Sequence, residues 1–115
     1  MSKYAVTLIG VFCSTLLVAN AAVAGSCATK EIEQTEKMRT LDHVCQPGDS
    51  APMAKRGLRV FYVVEGSALE RTYEDGSKEV INYKTGDSRI LIDEKAFSYQ
   101  NVGTTPIRFF IVYPK

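Results

Sequence analysis

Few side chains in this 115-residue chain are equipped for chemistry, and most of them fall in one stretch. Cys27, Met38, Asp42, His43, Cys45 and Met53 supply two thiols, two thioethers, one carboxylate and the chain's single imidazole. Two chemistries compete for them. In an oxidising compartment, Cys27 and Cys45 most simply form one disulfide. In a reducing one, Met38, His43, Cys45 and Met53 are a soft-ligand set for a thiophilic metal. Scattered methionines usually pack in a core, so the disulfide is the expectation and no metal site is expected. The adjacent Asp42 and His43 offer a general base with a carboxylate to orient it, yet no partner nucleophile is evident. There is no Ser-His-Asp order, no phosphate-cradling glycine loop and no CxxC pair.

The N-terminus favours the oxidising case. After Lys3, Ala5 to Val18 form an apolar stretch, and small residues lead to Ala22-Val23-Ala24. That is the A-x-A pattern of a secretory signal, and the stretch is shorter than the roughly 20 residues a membrane span needs. Residues 1–24 are therefore expected to be a cleaved signal peptide, with the mature chain periplasmic or extracellular and free of the membrane. Cys13 leaves with the leader, so Cys27 and Cys45 remain, and their bond would contribute roughly 3 kcal/mol. A lipid-modified Cys27 is the alternative, although the aliphatic residue usual three places before such a cysteine is absent.

Composition narrows the partners. The chain is 45% hydrophobic and 23% charged, which fits one small globular domain. Lys3 is the only charged residue before Gly25, so the mature chain balances 13 basic against 13 acidic side chains. A neutral body has no field to draw it onto nucleic acid, so none is expected as a partner.

The elements that must carry these residues read as strands. Leu58 to Glu65, Leu69 to Tyr73, Glu79 to Tyr83, Arg89 to Ile92, Ala96 to Gln100 and Ile107 to Tyr113 are short β-branched or aromatic runs. Turn chemistry separates them: Gly66-Ser67, the hairpin signal Asp75-Gly76, Thr85-Gly86-Asp87 and Gly103 to Pro106. Gln46-Pro47-Gly48-Asp49 closes an earlier strand over Arg39 to Cys45. Residues 25–37 read as a charged N-terminal arm, with a weak helical start at Lys30 or a strand to add to a neighbour's sheet. Strands every 8–12 residues with no helix after residue 45 predict an all-β, antiparallel barrel or sandwich over residues 38–115.

Two segments in this pattern resemble the cupin superfamily. Arg59 to Gly66 (RVFYVVEG) is similar to the end of the first cupin motif, and Gly86 to Asn101 (GDSRILIDEKAFSYQN) is similar to the second, with matching spacing. The closing NVGTTPIRFFIVYP resembles the family's last hairpin. The resemblance spans residues 38–115 and implies a small double-stranded β-helix, the jelly-roll-like cupin barrel. It also implies where a metal would bind, and there the chain departs from the family. The motif-one glutamate position is Arg59, its two histidines fall on Pro52 and Ala54 or on Met53 and Lys55, and the motif-two histidine position is Phe97. An arginine there repels a cation. No metal and no other cofactor is expected.

Strand alternation on the cupin frame turns Arg59, Phe61 and Val63 inward, Tyr62 and Val64 outward, and Phe97 and Tyr99 inward. A pocket lined by Arg59, Phe61, Phe97 and Tyr99, with Lys55 or Arg56 at its rim, would suit a small anionic or sugar-like ligand. The competing expectation is a filled barrel, in which Phe61, Val63 and Phe97 close the space and Arg59 pairs with Glu70 or Glu79. The function expected is therefore that of an exported binding or accessory protein. A metal-independent isomerase or epimerase built on His43 and Tyr99, or an interaction module that pairs with a second copy, are the alternatives. Elemental analysis of the dialysed protein is expected to find well under one equivalent of Mn, Fe, Ni or Zn per chain, and a stoichiometric metal would overturn the metal-free reading.

Overall fold

A computed structural model describes residues 25–93 and 95–115; the expected leader, residues 1–24, lies outside the described residues. Nine strands follow in order: β1 (Ala28–Gln34), β2 (Met38–Cys45), β3 (Ser50–Ala54), β4 (Gly57–Glu65), β5 (Ala68–Tyr73), β6 (Lys78–Asn82), β7 (Ser88–Asp93), β8 (Phe97–Asn101) and β9 (Ile107–Pro114). They form two antiparallel sheets, one of five strands in the order β1-β2-β9-β4-β7 and one of four in the order β3-β8-β5-β6. The alternation is clean. On β4, Arg59, Phe61 and Val63 are buried while Leu58, Val60, Tyr62 and Val64 are exposed. On β9, Ile107, Phe109 and Ile111 turn inward against Leu41 and Cys45 of β2 and Leu69 of β5. Each such buried aliphatic or aromatic side chain stabilises the fold by roughly 1.5–3 kcal/mol, so these alternate positions hold the sheets together.

The N-terminal arm is a strand of the barrel. Residues that read as a charged arm or helix start pair instead with β2, from Ala28 opposite Val44 to Gln34 opposite Arg39, through a bulge between Glu31 and Glu33. Its side chains are exposed throughout, so no hydrophobic pattern marked it; pairing and a covalent staple place it. Cys27 and Cys45 are joined, with Cα atoms 4.3 Å apart, and Cys27 N donates to Ser50 O at 2.9 Å. Strand β3 also lacked a sequence signal. Pro52 lies within it, and the chain tolerates this because β3 is an edge strand whose register shifts between Ala51 and Ala54.

Physical reasons stand behind the framework residues of the two motifs. Gly66 packs against backbone, where an added Cβ would lie 2.2 Å from Tyr83 O, and Gly86 has a φ of 94°. Neither position accepts a side chain without strain. Asn101, 1% exposed, cross-links three loops. Its Nδ2 donates to Cys45 O at 2.9 Å and Thr105 O at 2.8 Å. Its Oδ1 accepts from Gly103 N at 2.9 Å and Ser67 Oγ at 3.1 Å. Asn101→Ala removes all four bonds and strands buried partners, so it is expected to destabilise the fold by about 3 kcal/mol in urea unfolding. A loss below about 1 kcal/mol would mean that water replaces the amide.

Candidate functional site

Between the sheets the barrel is hollow. A cavity of about 230 Å³ is lined by residues of β1 to β5, β8 and β9, by Arg56 in the β3–β4 turn and by Tyr83 after β6. That volume holds roughly eight water-sized groups, enough for a small organic acid or an oxyanion. Arg59, Phe61, Phe97 and Tyr99 all line it, as alternation on the cupin frame predicted. Lys55 does not: it is exposed, and its neighbour Arg56 faces the cavity instead. The reason is local, because the Arg56 guanidinium folds back to donate to Ala54 O at 2.9 Å, to Pro52 O at 2.8 Å and to Phe97 O.

Three guanidinium groups converge here. Arg59, 5% exposed, donates to Gly57 O at 3.1 Å. Arg71, 8% exposed, donates to Tyr83 Oη at 3.4 Å. Phe97 organises two of the three, with Arg56 Cζ 4.4 Å and Arg71 Cζ 4.2 Å from its ring centroid. Arg56 also lies 4.7 Å from the Tyr99 centroid. An aromatic face attracts a cation and partly replaces its water, which lowers the cost of enclosing the charge. The internal partners expected for Arg59 are elsewhere. Glu70 sits on the opposite face of β5 with Lys78 at 3.8 Å, and Glu79 is exposed.

Across the cavity, His43 is held at both nitrogens. Thr29 Oγ1 lies 2.7 Å from Nδ1, and Tyr99 Oη lies 2.6 Å from Nε2. Burial pushes the His43 pKa down and nearby Arg56 lowers it further, against a smaller opposing pull from Asp42. Burial likewise raises the pKa of Tyr99, which keeps its proton. A neutral imidazole satisfies both hydroxyls in either tautomer, accepting from one and donating to the other. Asp42 does not orient this histidine as the sequence suggested. It lies on the outer face, where Arg108 donates to it at 2.9 and 2.8 Å and holds its carboxyl below the usual range.

The family's metal does not fit this donor set. Arg59 offers only N–H donors and Phe97 no lone pair, while Pro52, Met53, Ala54 and Lys55 are all exposed. Cys27, His43 and Cys45 bring their ligand atoms within 4.8 Å of one another, but the two sulfurs are bonded to each other and neither is a thiolate. The soft-ligand set is dispersed as well, since Met38 and Met53 are exposed and His43 and Cys45 are buried.

Arg71, Thr29 and Tyr83 line the cavity without having been singled out in the sequence. Arg71 was legible, because Leu69-x-Arg71-x-Tyr73 places it on the face of a core leucine. Thr29 carried no signal, lying on a strand exposed on both faces.

The lowered His43 pKa has a defined consequence for stability. The unfolded chain takes up this proton near pH 6.5 and the folded chain only at lower pH, so the unfolded state binds more protons between the two values. This contribution is full above pH 6.5 and is lost as pH falls through that window. Urea midpoints are expected to drop from pH 7 to pH 5, and His43→Gln to drop less over the same range. Equal slopes in both proteins would show that His43 does not titrate as its burial implies.

No family model and no curated protein matches this sequence. Solved structures do match. A cupin domain from Bordetella pertussis Tohama I superposes with a TM-score of 0.72 at 13% identity, covering 81% of this chain and 97% of that one. An RmlC-like cupin from Methanocaldococcus jannaschii, described as a double-stranded β-helix, gives 0.62 at 20% identity over 81% and 84%. A cupin superfamily protein from Desulfitobacterium hafniense gives 0.58 at 12% identity over 81% of each chain. Strand order, the two hydrogen-bonded sheets and these superpositions agree: this chain has the cupin fold.

Proposed function

We propose that this protein binds a small anion bearing a carboxylate, phosphate or sulfate in the barrel cavity, as an exported binding or accessory protein. The observation that carries the reading is the convergence of Arg56, Arg59 and Arg71 on one cavity of about 230 Å³. Guanidinium groups recognise planar or tetrahedral oxyanions through paired N–H donors. Phe61, Phe97 and Phe109 supply apolar walls for the rest of the ligand. Where the cupin resemblance implies a metal, this cavity carries fixed guanidinium charge, which suits a ligand of the opposite sign. The leader expected from the sequence and the Cys27–Cys45 bond support the export reading.

A thermal-shift screen of small carboxylates, inorganic phosphate, sulfate and sugar acids tests this. At a hundredfold excess over its dissociation constant, a true ligand is expected to stabilise the wild type by about 2.7 kcal/mol. Arg59→Met and Arg71→Met are each expected to abolish that gain. Should no anion in the screen shift the wild type, the cavity is not an anion site.

The His43–Tyr99 contact favours a second reading, a metal-independent enzyme that moves a proton on a bound acid. In the tautomer that carries its proton on Nδ1, the Nε2 lone pair accepts from Tyr99, and His43 becomes a base there once that hydroxyl turns toward the ligand. Solvent deuterium entering a C–H bond of the bound acid, and its loss in Tyr99→Phe with binding retained, would select this reading over simple binding.

A further inference from the structure

At one corner of the barrel, Cys27, His43 and Cys45 bring their ligand atoms within 4.8 Å of one another. Strand geometry explains the convergence. His43 and Cys45 stand two apart on β2, so both turn inward, and both are buried. Cys27 directly precedes β1, whose Ala28 pairs with Val44, so the register carries Cys27 over Cys45. His43 Nε2 lies 3.6 Å from Cys45 Sγ, while Thr29 Oγ1 lies 2.7 Å from Nδ1 on the other side of the ring. A metal-ligating imidazole is held in this way, one nitrogen toward the ion and the other hydrogen-bonded. None of these three residues stands at a position where the cupin resemblance implies a metal ligand, which are Arg59, Phe97, and Pro52 with Ala54 or Met53 with Lys55.

We infer that reduction of the Cys27–Cys45 bond turns this corner into a binding site for one zinc ion, held by Cys27 Sγ, His43 Nε2 and Cys45 Sγ. The donor types fit, because zinc takes thiolate sulfur and imidazole nitrogen in tetrahedral sets, and three protein ligands leave a fourth position to water. Charge fits as well. Two thiolates balance the ion, so the loaded site adds no net charge to a cavity that already holds three guanidinium groups. A dithiol supplies the electrons. Cys27 is half-buried and Cys45 is fully buried, so the attacking thiolate reaches Cys27 Sγ and Cys45 leaves as a thiolate. The second thiol of the reductant then displaces Cys27, and the dithiol ends as a disulfide, having given up two electrons. Two sulfurs on one tetrahedral zinc stand about 3.8 Å apart, and Cys27, which lies outside β1, is the side chain that swings to reach this separation. Zinc binding releases the two thiol protons and fixes the remaining imidazole proton on Nδ1, toward Thr29. An oxidising compartment keeps the site shut. Once bound, the ion ties β1 to β2 as the disulfide did.

Zinc uptake by the purified protein, reduced with dithiothreitol and freed of it under argon, tests the inference. Competition against a chromophoric chelator near pH 7 is expected to show about one zinc per reduced chain, with about two protons released per ion, and no uptake by the oxidised protein. Cobalt in place of zinc is expected to give the sulfur-to-cobalt charge-transfer absorption of thiolate ligands. Cys27→Ser and His43→Gln are each expected to weaken zinc binding at least about 100-fold, and Thr29→Val, which acts only through the imidazole, about 10-fold. If reduction alone costs the β-sheet circular dichroism spectrum, zinc is expected to restore it. A chain that stays unfolded with zinc present overturns the inference. So does a folded, reduced wild type that takes up no zinc, or an affinity unchanged in either Cys27→Ser or His43→Gln.

Discussion

Enclosing positive charge inside a small β-barrel is the constraint around which the rest of this structure is arranged. A buried cation is tolerated only when its surroundings replace water, and here backbone carbonyls and aromatic faces do so. Arg56 is clasped by the carbonyls of Pro52, Ala54 and Phe97, and Arg71 lies over the Phe97 ring and against the Tyr83 hydroxyl. Phe97 is central to both. Where the cupin resemblance implies an imidazole nitrogen, at Phe97, this chain has a π face, which attracts the two guanidinium groups that lie over it.

The same charge shapes the opposite wall. Arg56 helps hold His43 neutral, and a neutral imidazole accepts from one of Tyr99 and Thr29 while donating to the other. That bridge ties β1, β2 and β8 across the two sheets, so the cavity is walled by groups that also fasten the barrel. The Cys27–Cys45 bond works beside it. It anchors β1, a strand with no buried side chains of its own, at the end where Thr29 must reach His43. Loss of that staple removes a wall of the cavity as well as chain-entropy stabilisation.

Inner and outer faces of the five-stranded sheet have diverged in character. The inner face mixes arginine, histidine and tyrosine with its core residues, while the outer face of β4 and β7 is almost wholly aliphatic and aromatic. This inverts the usual division of polar surface and apolar interior.

Much of the fold was legible in the residues. Alternation over Leu58 to Glu65 and Ile107 to Tyr113, and the turn chemistry at Asp75-Gly76 and Thr85-Gly86-Asp87, locate strands and hairpins because they are local properties with a period of two. The inward set Arg59, Phe61, Phe97 and Tyr99 followed from that period once the cupin frame supplied the direction. Three things were decided only by tertiary structure. Strand β1 exists because β2 and a disulfide pair with it, which no pattern within residues 28–34 expresses. Arg56 rather than Lys55 enters the cavity because carbonyls distant in sequence, Phe97 O among them, receive its donors. His43 finds Thr29 and Tyr99, 14 and 56 positions away, rather than its neighbour Asp42, since adjacent residues on a strand face opposite sides. Sequence alone determined which way each side chain alternates; only the closed barrel decided which of them meet.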